Sequence, residues 1–225
     1  MSRTIGILGG MGPAATVDLM ARIVAATPAK GDEDHLHLLI DSNPQVANRN
    51  LAIAGTGPSP APVLVAMARG LEAQGAEMLA IACNSAHAWA GDIRTATGIP
   101  LVSMIEATAA AIPSGIRRVG LLAADACLAA GLYQTPFAEA GLDTLVTDDQ
   151  SGFMRLVYGV KAGETGREAR ARMAGIARGL VDRGAEVIVA ACTEVPLLLA
   201  AADVTVPLID STDALVRQLI REAIA

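Results

Sequence analysis

The sequence predicts an α/β protein of two pseudo-symmetric lobes, each a parallel sheet with helices on both faces and a cleft between them. Two observations carry this. Short apolar runs without polar alternation recur between longer stretches of helical periodicity, as buried parallel strands between crossover helices do. The whole pattern then starts again halfway along the chain. Composition is compatible: 52% of the 225 residues are hydrophobic and 2% aromatic, with 17 Lys+Arg against 23 Asp+Glu and a formal charge of −6.

The elements run in order along the chain. Thr4–Leu8 is a strand that stops at Gly9-Gly10-Met11-Gly12-Pro13. A helix over Ala14–Thr27 comes next, with Pro13 at a tolerated first-turn position. His35–Asp41 reads as a second strand, Pro62–Gln74 as a helix ended by Gly75, Met78–Ala82 as a buried strand and Leu101–Ser103 as a shorter one. The second half repeats this with a strand at Arg118–Ala123, a helix at Cys127–Ala140 and a strand at Asp143–Thr147. Then come a helix at Arg167–Arg183, strands at Val187–Ala191 and Pro207–Ile209, and a last helix over Thr212–Ile224, expected to pack back on the first lobe.

The restart is a duplication. Leu71-Glu72-Ala73-Gln74-Gly75-Ala76-Glu77, the strand after it and Cys83 are matched at an offset of 109 residues by Leu180-Val181-Asp182-Arg183-Gly184-Ala185-Glu186, its strand and Cys192. Residues 1–101 with 208–225 are therefore expected to form one lobe and 102–207 the other. In such folds ligands bind outside the carboxyl ends of the strands.

Several classes are excluded. An acidic chain poor in aromatics lacks the positive field and stacking platforms of a nucleic-acid binder. No apolar run is long enough for a membrane span, and no basic segment followed by an apolar one opens the chain. Three cysteines make no disulfide framework and suit a reducing, cytoplasmic setting.

Cys83 and Cys192 each come after a buried strand at equivalent positions, before the small polar pairs Asn84-Ser85 and Thr193-Glu194. A helix is expected after each, placing both sulfurs beside backbone N–H groups that stabilise a thiolate and bind a carboxylate. Pseudo-twofold symmetry would bring the sulfurs to opposite walls of one cleft. Inverting a carbon centre needs that layout: one thiolate removes a proton from one face and one thiol returns a proton to the other. A free thiol pKa of about 8.5 makes both states reachable near neutrality.

Ala82-Cys83-Asn84-Ser85-Ala86-His87 and Ala191-Cys192-Thr193-Glu194 resemble the paired cysteine motifs of the aspartate/glutamate racemase superfamily. Gly6-Ile7-Leu8-Gly9-Gly10-Met11-Gly12-Pro13, Thr27-Pro28-Ala29-Lys30 and Asn43-Pro44-Gln45 are similar to its aspartate racemase branch. The resemblance covers essentially the whole chain. It implies a racemase of aspartate or a related amino acid that uses no pyridoxal phosphate and no metal, and a homodimer. It also implies that Gly10 and Met11 line the pocket with N–H groups toward a carboxylate, and that Arg49 and Lys161 serve substrate binding. Asn84, Ser85 and Thr193 are the candidate donors to the substrate α-carboxylate, and Glu194 a supporting group for the Thr193 loop or the substrate ammonium. Glu194 stands where glutamate racemases carry histidine. Ala123-Ala124-Asp125-Ala126-Cys127 departs from the threonines and glycine usual in relatives, which weakens the case for aspartate itself.

Other readings compete. Gly10-x-Gly12-x-x-Ala15, with Asp41 ending the second strand, fits a relaxed dinucleotide fingerprint and hence an NAD(P)-dependent dehydrogenase. A duplicated cleft could also be a non-catalytic sensor of small carboxylates. Cys83, His87 and Cys192 could ligate zinc, but a packed His87 is the simpler expectation. His35 and His37 share a strand face without specifying a metal, and Cys127 reads as a packing residue.

Overall fold

A computed structural model describes residues 2–224. Its elements are β1 (Ile5–Gly9), α1 (Pro13–Ala26), β2 (Leu38–Ser42), α2 (Arg49–Ile53), α3 (Ala61–Ala73), β3 (Met78–Ile81), α4 (Ala90–Ala96), β4 (Leu101–Val102) and α5 (Met104–Ala110). The second half comprises β5 (Arg118–Ala123), α6 (Asp125–Ala129), α7 (Gln134–Glu139), β6 (Asp143–Val146), α8 (Gln150–Lys161), α9 (Arg167–Asp182), β7 (Val187–Ala191), β8 (Leu208–Asp210) and α10 (Ser211–Ile224). Two four-stranded sheets result, ordered β2-β1-β3-β4 and β6-β5-β7-β8. All pairings are parallel.

Strands without polar alternation are covered on both sides, as their composition requires. Ile5, Ile7, Met78 and Ala80 face a core with Leu19 and Ile23 of α1 and Leu215 and Leu219 of α10. Leu8, Leu79 and Ile81 face the opposite core, with Leu64 and Leu71 of α3 and Ile93 of α4. The second sheet likewise has one core against α8 and α9 and another containing Tyr133 and Phe137.

The duplication extends to individual contacts. A Cβ on Gly6 would meet Ala76 Cβ at 2.9 Å, Leu79 Cδ2 at 2.9 Å and Leu71 Cβ at 3.1 Å. On Gly120 it would meet Ala185 Cβ at 3.0 Å, Ile188 Cδ1 at 2.6 Å and Leu180 Cβ at 3.2 Å. These neighbours are the residues that the 109-residue offset equates. In both lobes a strand glycine lets the neighbouring helix seat directly on the sheet. Gly120→Ala should overpack this contact and cost about 1–3 kcal/mol, read as a lower denaturation midpoint with the m-value unchanged.

Sheet pairing moves the lobe boundaries. Val102 pairs with Ala80 in the first sheet, and Leu208–Asp210 pairs with Ile188–Ala190 in the second. The crossings therefore come after Val102 and Asp210, not after residues 101 and 207. Beyond the second crossing α10 returns to the first sheet, and Arg22 of α1 pairs with Asp18, Asp210 and Asp213 there.

Other local expectations change too. The helix expected over Cys127–Ala140 is two short ones, α6 and α7, because Gly131 turns between them at φ +62°. His35–His37 lies outside β2, which begins at Leu38, so the two histidines share no strand face. The sequence pattern gave no sign of α8, whose N-terminus is capped by Asp149 accepting from Gly152 N–H.

Candidate active site

A cavity of about 340 Å³ opens between the lobes. Cys83 reaches it from the first lobe and Cys192 from the second, and both are buried. Gly10, Met11, Arg49, Asn84, Ser85, Lys161, Thr193 and Glu194 line it as well. The duplicated strand ends thus converge on one space. The segment after each cysteine is less regular than the expected helix: a 3-10 segment over Ser85–Trp89 in the first lobe and a single 3-10 turn over Val195–Leu197 in the second.

The glycine loop turns inward. Gly10 has φ +87° and its N–H donates to Thr16 Oγ1 at 2.8 Å. That N–H is therefore committed within the protein and does not face a ligand. The Met11 carbonyl is the loop's contribution. It accepts from Arg49 Nη2 at 3.2 Å and from Lys161 Nζ at 3.4 Å, so cations from the two lobes converge on one oxygen. Arg49 Nη1 is held by the carbonyls of Val46 and Ala47 at 2.9 and 2.7 Å, while its Nε is buried without a partner. Asn48 caps α2 and so fixes where Arg49 leaves the loop.

The polar pairs after the cysteines differ in their attachments. Asn84 Nδ2 donates to Ser211 Oγ at 3.1 Å, and its Oδ1 accepts from the buried Tyr133 hydroxyl. Its carboxamide therefore ties the first lobe to the second and to α10. Ser85 Oγ pairs with Cys127 Sγ at 3.3 Å. Cys127 lies behind the cavity wall, where burial pushes its thiol up to about 12. Thr193 Oγ1 donates to Glu194 Oε2 at 3.1 Å. All three expected side-chain donors already have protein partners.

Glu194 organises the other wall. Its Oε2 accepts from Cys192 Sγ at 3.0 Å, and its Oε1 pairs with Lys161 Nζ at 2.5 Å. Burial first, then the adjacent Glu194 carboxylate, raise the Cys192 thiol well above its ordinary range. Burial alone would lower Lys161, but Glu194 outweighs it and the ammonium is stabilised.

His87 is no metal ligand here. Its Nε2 accepts from Met104 N–H at 3.1 Å, so Nδ1 carries the proton and donates to the Cys83 carbonyl at 2.9 Å. Both ring nitrogens are committed, and they fix the backbone at Cys83. Burial lowers the imidazole pKa to about 4. A folded value below the unfolded 6.5 makes stability fullest above pH 6.5 and lost as pH falls toward 4. The change is on the order of 3 kcal/mol. His87→Gln should flatten that part of the stability–pH curve, measured by denaturant titration. His35 and His37 lie outside the cavity, where His37 Nδ1 meets Thr4 Oγ1 at 3.4 Å.

Further residues, not marked by the sequence motifs, join the lobes. Asn50 Oδ1 accepts from Ala126 N–H at 2.9 Å, and its Nδ2 donates to Tyr158 Oη at 3.0 Å. Tyr158 stands three residues before Lys161 on α8, a helical spacing that could have marked the two as one face. Ala124, Val157, Val160 and Leu197 add an apolar patch to the cavity.

A concave space between two like lobes, with a few convergent polar groups, is the usual form of a small-molecule enzyme site. Sequence comparison supplies the family: the Asp/Glu/Hydantoin racemase family matches residues 8–219. The chain belongs to that family and is an isomerase. An aspartate racemase of Picrophilus torridus is similar in structure, with a TM-score of 0.90 and 29% identity over 98% of this chain and 94% of that one. A broad-specificity amino-acid racemase of Bacillus subtilis, RacX, is 24% identical over 98% of each chain. A glutamate racemase of Francisella tularensis shares the fold, at 18% identity and a TM-score of 0.72 over 98% of this chain and 80% of that one. Among the described residues no helix is long and apolar enough to cross a membrane.

Proposed function

We propose that this protein racemises aspartate or a related amino acid without a cofactor, with Cys83 and Cys192 as the acid/base pair. The observation that carries this is one thiol from each lobe on a single cavity that also holds Arg49 and Lys161. One thiolate removes the α-proton, the carbanion is planar, and the opposite thiol reprotonates it from the other face. In the direction that uses Cys192 as acid, its raised pKa keeps it protonated, since Glu194 holds the S–H.

The substrate anions are assigned by what remains free. Backbone N–H groups of Asn84, Ser85 and Thr193 bind the α-carboxylate, because the side chains of these residues are engaged elsewhere. Arg49, which lines the cavity, takes a side-chain carboxylate through the Nη2 hydrogen not given to the Met11 carbonyl. Lys161 stands beside it on the Met11 carbonyl. The apolar patch widens the range to side chains larger than that of aspartate. A homodimer, which rests on the family resemblance, and a cytoplasmic setting, which rests on the three free cysteines, are part of this reading.

Chiral chromatography of a panel of single enantiomers tests the proposal. Conversion of L- and D-aspartate, glutamate or a near neighbour to a racemic mixture, with solvent deuterium at the α-carbon in D2O, is the expected result. Tight binding without turnover would leave the sensor reading instead. The family match does not support the dehydrogenase reading, and Lys161 Nζ of the second lobe stands 3.4 Å from the Met11 carbonyl of the glycine loop.

A further inference from the structure

A racemase that uses two thiols ends each turnover in the wrong state for the next. After one enantiomer has been converted, the former acid is a thiolate and the former base a thiol. Before the same enantiomer can react again, one proton must leave the first-lobe sulfur and another must reach Cys192. Both sulfurs are buried, Cys83 at 6% and Cys192 at 7% exposure, and what sets Cys192 apart is the carboxylate that its sulfur touches.

The groups around Cys192 form a graded series toward solvent. Cys192 Sγ lies 3.0 Å from Glu194 Oε2. The other oxygen of that carboxylate is 2.5 Å from Lys161 Nζ. The Glu194 side chain is 5% exposed and that of Lys161 33%. The buried carboxylate thus touches the thiol with one oxygen and a half-open ammonium with the other. Thr193 Oγ1 donates to the oxygen on the thiol side and fixes its direction.

We infer that Glu194, with Lys161, is the proton-return path that resets Cys192 between turnovers, a role that rests on the two-cysteine reading above. The step balances. Lys161 gives a proton from Nζ to Glu194 Oε1, the carboxyl group turns so that this oxygen faces the sulfur, the proton passes to the Cys192 thiolate and leaves Glu194 a carboxylate again, and water at the cavity mouth re-protonates Lys161. The first-lobe thiol gives its proton to water in the cavity. No electrons move, and the net change is one proton taken from solvent and one returned. Burial with the neighbouring carboxylate raises the proton affinity of Cys192, which favours its return to the thiol. Glu194 touches a reacting atom and is therefore a catalytic residue of the return step.

Progress curves started from one pure enantiomer at rising total concentration test this. When reset is fast, the rate at a fixed fractional conversion saturates. When it is slow, product captures the unreset form and carries it backward, so that rate passes through a maximum and falls. The wild type should saturate. Glu194→Gln should show a several-fold fall at concentrations where the wild type is flat, and a diffusible buffer acid should lift the falling branch. Glu194→Asp, which keeps the charge but withdraws the carboxylate, should fall at higher concentration. Lys161→Gln, which cuts the outer link, supplies the same readout should Glu194→Gln not fold by circular dichroism. Curves of unchanged shape, merely scaled down and indifferent to buffer, would show that Glu194 only shapes the site and would overturn the inference. Racemisation surviving Cys192→Ser would instead refute the two-thiol reading beneath it.

Discussion

Replacing Cys83 or Cys192 by serine is expected to lower racemisation by roughly 10²–10⁴-fold, the usual contribution of a positioned acid or base. A serine hydroxyl fits either place but neither ionises nor donates as a thiol does near neutrality. The two losses should differ in kind. Each variant keeps one thiol and should still exchange the α-proton of one enantiomer with D2O, a different enantiomer in each case. Proton NMR of L and D substrate, run separately with both variants, measures this. Exchange lost for both enantiomers in both variants, with the fold intact, would mean that the thiols do not act from separate faces. The Cys127 thiol should resist alkylation in the same samples, because it is buried and its pKa is pushed up to about 12.

Gly10→Ala is expected to be the most damaging single methyl in the first lobe. Gly10 sits at φ +87°, and a Cβ there would lie 2.3 Å from the Asn43 carbonyl carbon and 2.4 Å from its nitrogen. Neither contact is with a side chain that could swing away. Left-handed strain alone costs a non-glycine residue on the order of 1–3 kcal/mol, and the backbone overlap adds to it. A loss of about 3 kcal/mol or more, equivalent to a melting temperature lower by ~6 °C or more for a chain of this length, should be seen by calorimetry. The movement would also shift the Met11 carbonyl on which Arg49 and Lys161 converge, so KM for a dicarboxylate should rise in whatever protein remains folded.

Much of the fold can be read from the sequence because its signals are repeated. Unalternating strands such as Ile5–Gly9 and Val187–Ala191 admit only a doubly covered sheet. The offset shared by Leu71, Ala76 and Cys83 with Leu180, Ala185 and Cys192 makes the two cysteines a pair without any geometry. The remaining site features have no such echo. Tyr133 reaches Asn84 across 49 residues, Asn50 reaches Tyr158 across 108, and Asn84 reaches Ser211 across 127. Each is an isolated polar residue whose partner is set by how segments far apart in the chain pack together. Gly10 differs for a local reason: loop composition suggests an outward N–H, and the hydroxyl of Thr16, six residues on, turns it inward. The Glu194 contacts lie within the second lobe, where α8 carries Lys161 to the carboxylate and Cys192 is only two residues away.

The two walls descend from one repeated strand end, yet they are unlike: Ser85 stands beside Cys127, whereas Glu194 stands beside Lys161. Mirror-image substrates have identical free energies in water, so an enzyme that interconverts them has an equilibrium constant of one. For the proposed reaction, kcat/KM must then be the same for both enantiomers, however different the walls become. The divergence of the two halves can show only as paired changes in kcat and KM, one enantiomer bound more tightly and turned over more slowly by the same factor. Substitutions at Glu194 can alter that factor freely, but they cannot make the enzyme favour one hand.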